Sequence, residues 1–176
     1  MGTTSSKEDE ESKSYFAFFD LDHTITKSVS GRELVIGAYK RGLMSRSDLA
    51  SAILLSLAFR MKLLDPMKAI NKMGGWVKGI PTEKMESLCS EVFSEVLLPS
   101  VYPQINDEIK LHKEKNARLI ILSSSLVYVC RKMSEYLAMD DVICSWLEAV
   151  NGILTGQPEG NFCFGEEKSV RLQQYC

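Results

Sequence analysis

Apolar residues along this chain fall into short unbroken runs and into longer stretches of helical spacing. Residues 15–19, Tyr-Phe-Ala-Phe-Phe, form an unbroken apolar run that stops at a charged loop. A run of that length predicts a strand buried on both faces. Residues 118–122, Arg-Leu-Ile-Ile-Leu, predict a second strand, and residues 141–144 a short third one. Between the first and second strands, residues 30–99 read as helices throughout. Ser30 and Glu33 have the spacing of a capping box, opening a helix that stops near Gly42. Ser45 and Asp48 repeat that signature. The stretch 49–64 after them is rich in Leu, Ile, Ala and Phe, interrupted by Ser51, Ser56, Arg60 and Lys62, and predicts a heavily buried helix. Asp65-Pro66 supplies an N-cap and a first-turn proline for a short helix that Gly74-Gly75 breaks. Pro81-Thr82 opens another, carrying Leu88, Val92 and Val96 to about Leu98, and Pro99 ends it. Beyond it, residues 103–115 predict an amphipathic helix with Ile105, Ile109 and Leu111 as its apolar positions. Ser123, Ser124 and Ser125 are placed to cap a helix over 126–137. Residues 146–150, the turn Asn151-Gly152 and residues 153–155 predict a hairpin, and a last helix starts near Gly165.

Strand, helix, strand, helix, strand is the order of an α/β fold with a doubly wound parallel sheet. Its core comprises residues 15–29 and 100–176. The block 30–99 is too long for a simple crossover and is expected to fold as a helical cap inserted after the first strand. Residues 1–14, rich in Ser, Glu and Lys with no apolar period, are expected to be a disordered tail. A length of 176 residues allows one sizeable core, or a core domain plus a small appendage. The net charge of −2 gives no bulk attraction to nucleic acid. No run reaches the length of a membrane span; 49–64 comes nearest, and a membrane-surface or acyl-chain-binding role is its second reading. The five cysteines are odd in number and form no CxxC pair, and no signal-peptide pattern opens the chain. A reduced, cytoplasmic protein is expected.

Open parallel sheets bind ligands at the carboxyl ends of their strands. After the first strand stands Asp20-Leu21-Asp22-His23-Thr24, after the second Ser123-Ser124-Ser125, and early on the last helix Lys168. Two carboxylates one residue apart past a strand can converge on one pocket, where a divalent cation relieves their repulsion; magnesium favours a few carboxylates plus a phosphate oxygen. Serines at a helix N-terminus offer hydroxyls and free N–H groups to phosphate. A lysine supplies the point charge that phosphoryl transfer must have. Each part alone is ordinary: strand-end acids are usually solvated turns, serines usually caps, and a Glu-Glu-Lys face usually solvated. Their joint order points to phosphoryl transfer onto a carboxylate.

The segment 18–25, Phe-Phe-Asp-Leu-Asp-His-Thr-Ile, resembles the first motif, DxDxT, of the haloacid dehalogenase-like (HAD) superfamily. Residues 119–123, Leu-Ile-Ile-Leu-Ser, resemble its second motif, and Lys168 matches the third-motif lysine. Residues 156–168, with Cys163-x-Gly165-x-x-Lys168, are similar to the phosphoserine-phosphatase-like branch, which also carries a helical cap after the first motif. The resemblance implies a magnesium-dependent phosphomonoester hydrolase with a Rossmann-like core, acting on a small phosphorylated substrate. It implies that Asp20 attacks phosphorus and becomes an aspartyl-phosphate. Asp22 protonates the leaving alkoxide and then activates water. The Asp20 carboxylate and the Asp22 main-chain carbonyl bind Mg2+. Ser123 and the backbone around Ser124 hold the phosphate, Lys168 bridges phosphate and Asp20, and Thr24 helps fix the loop.

Two departures qualify what the resemblance implies. The acidic fourth motif that completes the magnesium site should follow Lys168 after another strand, and this sequence reaches Cys176 first. A chain ending there is expected to bind magnesium poorly, to lack flanking strands and to turn over little, which leaves a catalytically impaired protein with a binding or regulatory role as the alternative. True phosphoserine phosphatases also place an acid for the substrate amine shortly after the first motif. The comparable stretch here is Thr26-Lys27-Ser28-Val29, with Glu33 near but shifted. A receiver-type signalling domain shares the acid pair and lysine, but has no long helical insertion after its first strand.

Overall fold

A computed structural model describes residues 15–61, 63 and 75–176. Its centre is a three-stranded parallel sheet in the order β1-β2-β3, formed by β1 (Phe16–Phe19), β2 (Arg118–Leu126) and β3 (Asp141–Ser145). Phe19 pairs with Ile121 and Ile121 with Val142, so the strands point the same way and end at one edge. In the central strand Leu119, Ile120 and Ile121 are all fully buried, which is why that run has no polar alternation.

Between β1 and β2 the chain first forms α1 (Ser30–Lys40), α2 (Arg46–Arg60) and α3 (Thr82–Val92). The last of these widens into a π turn over Phe93–Leu97 and tightens at Leu98–Ser100, where Pro99 ends it. Then come α4 (Ile105–Glu114), leading into β2, and α5 (Val127–Leu137), leading into β3. Ile105 and Ile109 of α4 and Val129, Cys130 and Met133 of α5 share the main core with Leu119 and Ile121. The other face of the sheet packs Ile120 and Ile143 against Cys163, Phe16, Phe18 and Tyr175, the last on α6 (Glu166–Tyr175). Helices on both faces of a parallel sheet are the α/β architecture expected from the sequence.

The hairpin of β4 (Leu147–Val150) and β5 (Ile153–Pro158) turns through Asn151 and Gly152, at φ 51° and 76°, as a tight two-residue turn requires. It is tied to the approach of α3. Leu154 N donates to Ile80 O (2.9 Å), Gly79 N to Leu154 O (2.8 Å) and Thr82 N to Gly152 O (2.9 Å).

Several local expectations are corrected. The helix over 49–64 is not heavily buried. Ala52 is, but Ile53 and Leu54 are 59% and 66% exposed, and Leu57, Met61 and Leu63 are exposed too. The helix lies at the periphery beside α1, so most of its circumference meets no described neighbour. Ser30 does not cap α1. Val29 holds that position, and Ser30 is already helical. Nor do Ser123–Ser125 cap α5. They prolong β2, and the N-cap is Leu126, which makes no side-chain cap bond. The capping box at Ser45 does form, with Asp48 N donating to Ser45 Oγ (3.1 Å) and Ser45 N to Asp48 Oδ2 (3.4 Å). Leu111, expected on the apolar side of α4, is 43% exposed. Four cysteines are buried and Cys176 is exposed, all as free thiols. Among the described residues no helix is long and apolar enough to cross a membrane. The tail 1–14 and the helix expected from Asp65-Pro66 lie outside the described residues.

Candidate active site

Where β1 ends, the chain makes a tight turn at the carboxyl edge of the sheet. Ile25 N and Thr26 N both donate to Leu21 O, at 3.0 Å each. Leu21 and Ile25 are fully buried, so the turn is plugged into the core between its polar residues. The fully buried Thr26 donates its hydroxyl to Leu21 O (3.2 Å) and Ser28 O (3.0 Å). Thr24, expected to fix this loop, is exposed; the hydroxyl that holds the turn is two residues on, because 24 falls on its solvent side. His23 takes a left-handed conformation, φ 62°, and is exposed, a loop residue as its position suggests.

Asp20 accepts a hydrogen bond from Leu21 N on Oδ1 (2.8 Å), and its Oδ2 lies 3.0 Å from Lys168 Nζ. The lysine is in the first turn of α6. One turn on, Arg171 staples the helix to the sheet, donating to Glu167 Oε1 (2.9 Å), Cys144 O (2.7 Å) and Asn161 O (2.5 Å). Residues three apart share a helix face, so the arginine that fixes α6 also fixes the direction of Lys168. The hydrogen bonds from Arg171 and Asn161 hold the Glu167 carboxyl below its usual range.

Asp22 faces elsewhere. Its Oδ1 accepts from Ser30 N (2.9 Å) and its Oδ2 from Ser30 Oγ (3.1 Å). Ser30 Oγ is 2.5 Å from Ser125 Oγ, which in turn accepts from Ser123 Oγ (3.2 Å). A hydroxyl has one proton to give. With Ser123 donating to Ser125 and Ser30 to Asp22, Ser125 donates to Ser30, and all three protons run toward the carboxylate. Burial pushes the Asp22 pKa up; the two Ser30 bonds oppose this, and the negative charge of Asp20 adds to it.

The two acids thus hold different partners while lying near enough for their charges to interact. The turn after Leu21 carries Asp22 toward α1, while Asp20 stays with Lys168. The serines stand on the neighbouring strand, past the level of Phe19 and Ile121 in register. Ser123 is fully buried and turned toward Ser125, and the carbonyl of Ser124 accepts from Ser145 Oγ (2.9 Å). Ser145, also fully buried, accepts from Cys163 N (3.0 Å), joining the end of β2 to the segment that leads into α6. Sequence reasoning missed Ser125 and Ser145 as connectors, read Ser30 only as a cap, and passed over Arg171. Spacing from Lys168 could have found the arginine; nothing in the sequence marks Ser145.

For a cation, the Asp20 carboxylate and the Asp22 main-chain carbonyl are hard oxygen donors of the type magnesium takes. No cluster of three or more His, Cys, Asp or Glu side chains suited to a metal occurs among the described residues. The donor set thus fits an ion bound mainly through one carboxylate, water and phosphate. A cavity of about 330 Å³ opens on Asp22, Ser124 and Ser125, between the edge of the sheet and α1.

Residues 17–176 match the haloacid dehalogenase-like hydrolase family. A probable phosphatase of Mycobacterium tuberculosis is 24% identical over 165 residues, covering 90% of this chain and 56% of that protein. The chain thus spans little more than half the length of that curated relative. A Bordetella pertussis protein of unknown function has a solved structure that superposes with a TM-score of 0.78 at 23% identity, over 92% of this chain and 74% of that one. A phospho-aspartyl intermediate analogue of phosphoserine phosphatase superposes with a TM-score of 0.68 at 19% identity, over 93% and 71% of the two chains. The fold, the strand-end Asp20 paired with Lys168 and the match over nearly the whole described chain agree, and the chain belongs to the haloacid dehalogenase-like hydrolases.

Proposed function

We propose that this chain carries the catalytic core of a magnesium-dependent phosphatase that hydrolyses a small phosphorylated substrate through an aspartyl-phosphate on Asp20. The observation that carries the reading is the 3.0 Å contact between Asp20 Oδ2 and Lys168 Nζ at the carboxyl edge of the sheet. A carboxylate oxygen there can attack phosphorus in line while the ammonium neutralises charge on the phosphoryl oxygens. The Asp20–phosphorus bond forms, the ester P–O bond breaks, and Asp22 gives its proton to the leaving alkoxide. Asp22 then takes a proton from water as that water hydrolyses the acyl phosphate. Burial that raises the Asp22 pKa makes proton uptake easier, which suits a group that serves as acid and then as base. The Ser123 hydroxyl and the main chain at Ser124 would hold the phosphate. Mg2+ would be held by the Asp20 carboxylate and the Asp22 main-chain carbonyl, and when bound would supply positive charge to the phosphoryl oxygens. Residues 30–99 would act as a cap that excludes bulk water. The relatives' names, a probable phosphatase and a phospho-aspartyl analogue of phosphoserine phosphatase, support the same chemistry.

The test is hydrolysis of p-nitrophenyl phosphate with and without magnesium. Turnover is expected to need the metal, and Asp20→Asn to lower kcat by about 10³-fold or more. A variant as active as its parent would refute the nucleophile.

A further inference from the structure

The cavity that opens on Asp22 is lined by a few polar residues and a larger apolar set. Its polar lining is Asp22, Ser30, Ser124 and Ser125; Val29, Leu34, Val35, Trp76, Phe162 and Phe164 form most of the rest. Among the described residues lining it, Asp22 is the only one with an ionisable side chain. On the reading above, Asp22 protonates the leaving oxygen. Whatever carbon skeleton that oxygen carries must therefore start within reach of Asp22 and extend into this space. An amino-acid leaving group would bring an ammonium and a carboxylate into contact with valine, leucine, tryptophan and phenylalanine. A buried charge without a partner is strongly disfavoured. The stretch where an amine-binding acid would be expected ends in Val29, itself part of the wall. The same wall suits an alkyl or aryl group, gaining with each methylene it covers.

We infer that the site selects phosphomonoesters of uncharged, apolar alcohols over phosphorylated amino acids, with Val29 and Trp76 as specificity-determining residues. This rests on the phosphatase reading, so the experiment measures ligand binding and leaves turnover aside. Inorganic phosphate, a series of alkylphosphonates from methyl to octyl, and 2-amino-3-phosphonopropionate are titrated calorimetrically into the protein with magnesium present. Affinity is expected to rise roughly threefold to fourfold per methylene until the cavity is filled, and the aminophosphonate to bind no better than phosphate. Val29→Ser and Trp76→Ala should flatten the alkyl series, costing the longer alkylphosphonates more affinity than they cost phosphate. Phosphate binding with a flat alkyl series, or with the aminophosphonate bound tightest, overturns the specificity and leaves the phosphatase reading standing. Failure of phosphate itself to bind overturns both.

Discussion

Asp22 is the residue on which chemistry and stability pull against each other. Its carboxyl is buried beside a second acid, and the resulting rise in pKa is opposed by the Ser30 bonds and, after them, by His23. The folded-state value lies above the ordinary 3.8, so between the two values the folded protein holds a proton that the unfolded chain has released. Stability contributed by this group is therefore present at low pH and is lost as pH rises through the folded pKa. Asp22→Asn removes the charge and keeps an oxygen to accept from Ser30 N. It should melt at a higher temperature than the parent at neutral pH, and the difference should shrink as pH falls toward about 4. Thermal melts across that range are the measurement; an offset that stays constant with pH would show that burial of the charge is not its cause. The same substitution should abolish most turnover, since an amide cannot protonate the leaving oxygen.

Helices α1 and α3 approach closely at Gly37. A Cβ on Gly37 would lie 2.9 Å from Val92 Cγ2 and 3.1 Å from Leu88 Cδ1. Gly37→Ala gains about 1 kcal/mol of helix propensity but meets overpacking of about 1–3 kcal/mol, because the branched Val92 is stiff at χ1. A net loss of up to about 2 kcal/mol is expected. Val92→Ala opens room at the same point, so the double variant should be more stable than the sum of the two losses predicts, by about 1 kcal/mol or more. Urea unfolding of the four proteins measures this; strict additivity would mean that the two residues do not limit each other. The sequence could announce these elements but not their neighbours. Strands β1 and β2 were legible because a strand buried on both faces shows an unbroken apolar run wherever it lies. The hairpin was legible because Asn151-Gly152 can adopt the positive φ that its turn demands. For α2, composition reported apolar residues on every side, whereas burial depends on what packs there, and Ile53 and Leu54 face outward. Ser30 sat where a helix start was expected, yet its partner is a carboxylate eight residues back.

At the scale of the whole molecule, parallel topology gathers what the sequence scatters. Because β1 and β2 end at one edge and α6 returns to it, Asp20 and Lys168 meet although most of the chain lies between them, and Ser123 ends up on the neighbouring strand, past the level of Phe19. The strand-end acids and the lysine could be read from sequence, since the fold class fixes which ends carry ligands. The connectors could not: Ser145 joins Ser124 to Cys163 only once β3 is in place. A ligand that needs all three segments binds the folded protein alone and must stabilise it. With magnesium present, inorganic phosphate at about a hundred times its Kd should add about 2.7 kcal/mol, read as a rise in Tm. Lys168 and Asp20 are 25% and 43% exposed, so their ion pair is solvent-screened and contributes below about 1 kcal/mol to the free protein. Lys168→Ala should accordingly melt close to the parent without ligand and lose most of the phosphate-induced rise. If the variant keeps the full rise, phosphate is stabilising the protein from another place, and the lysine at the edge of the sheet is not what receives it.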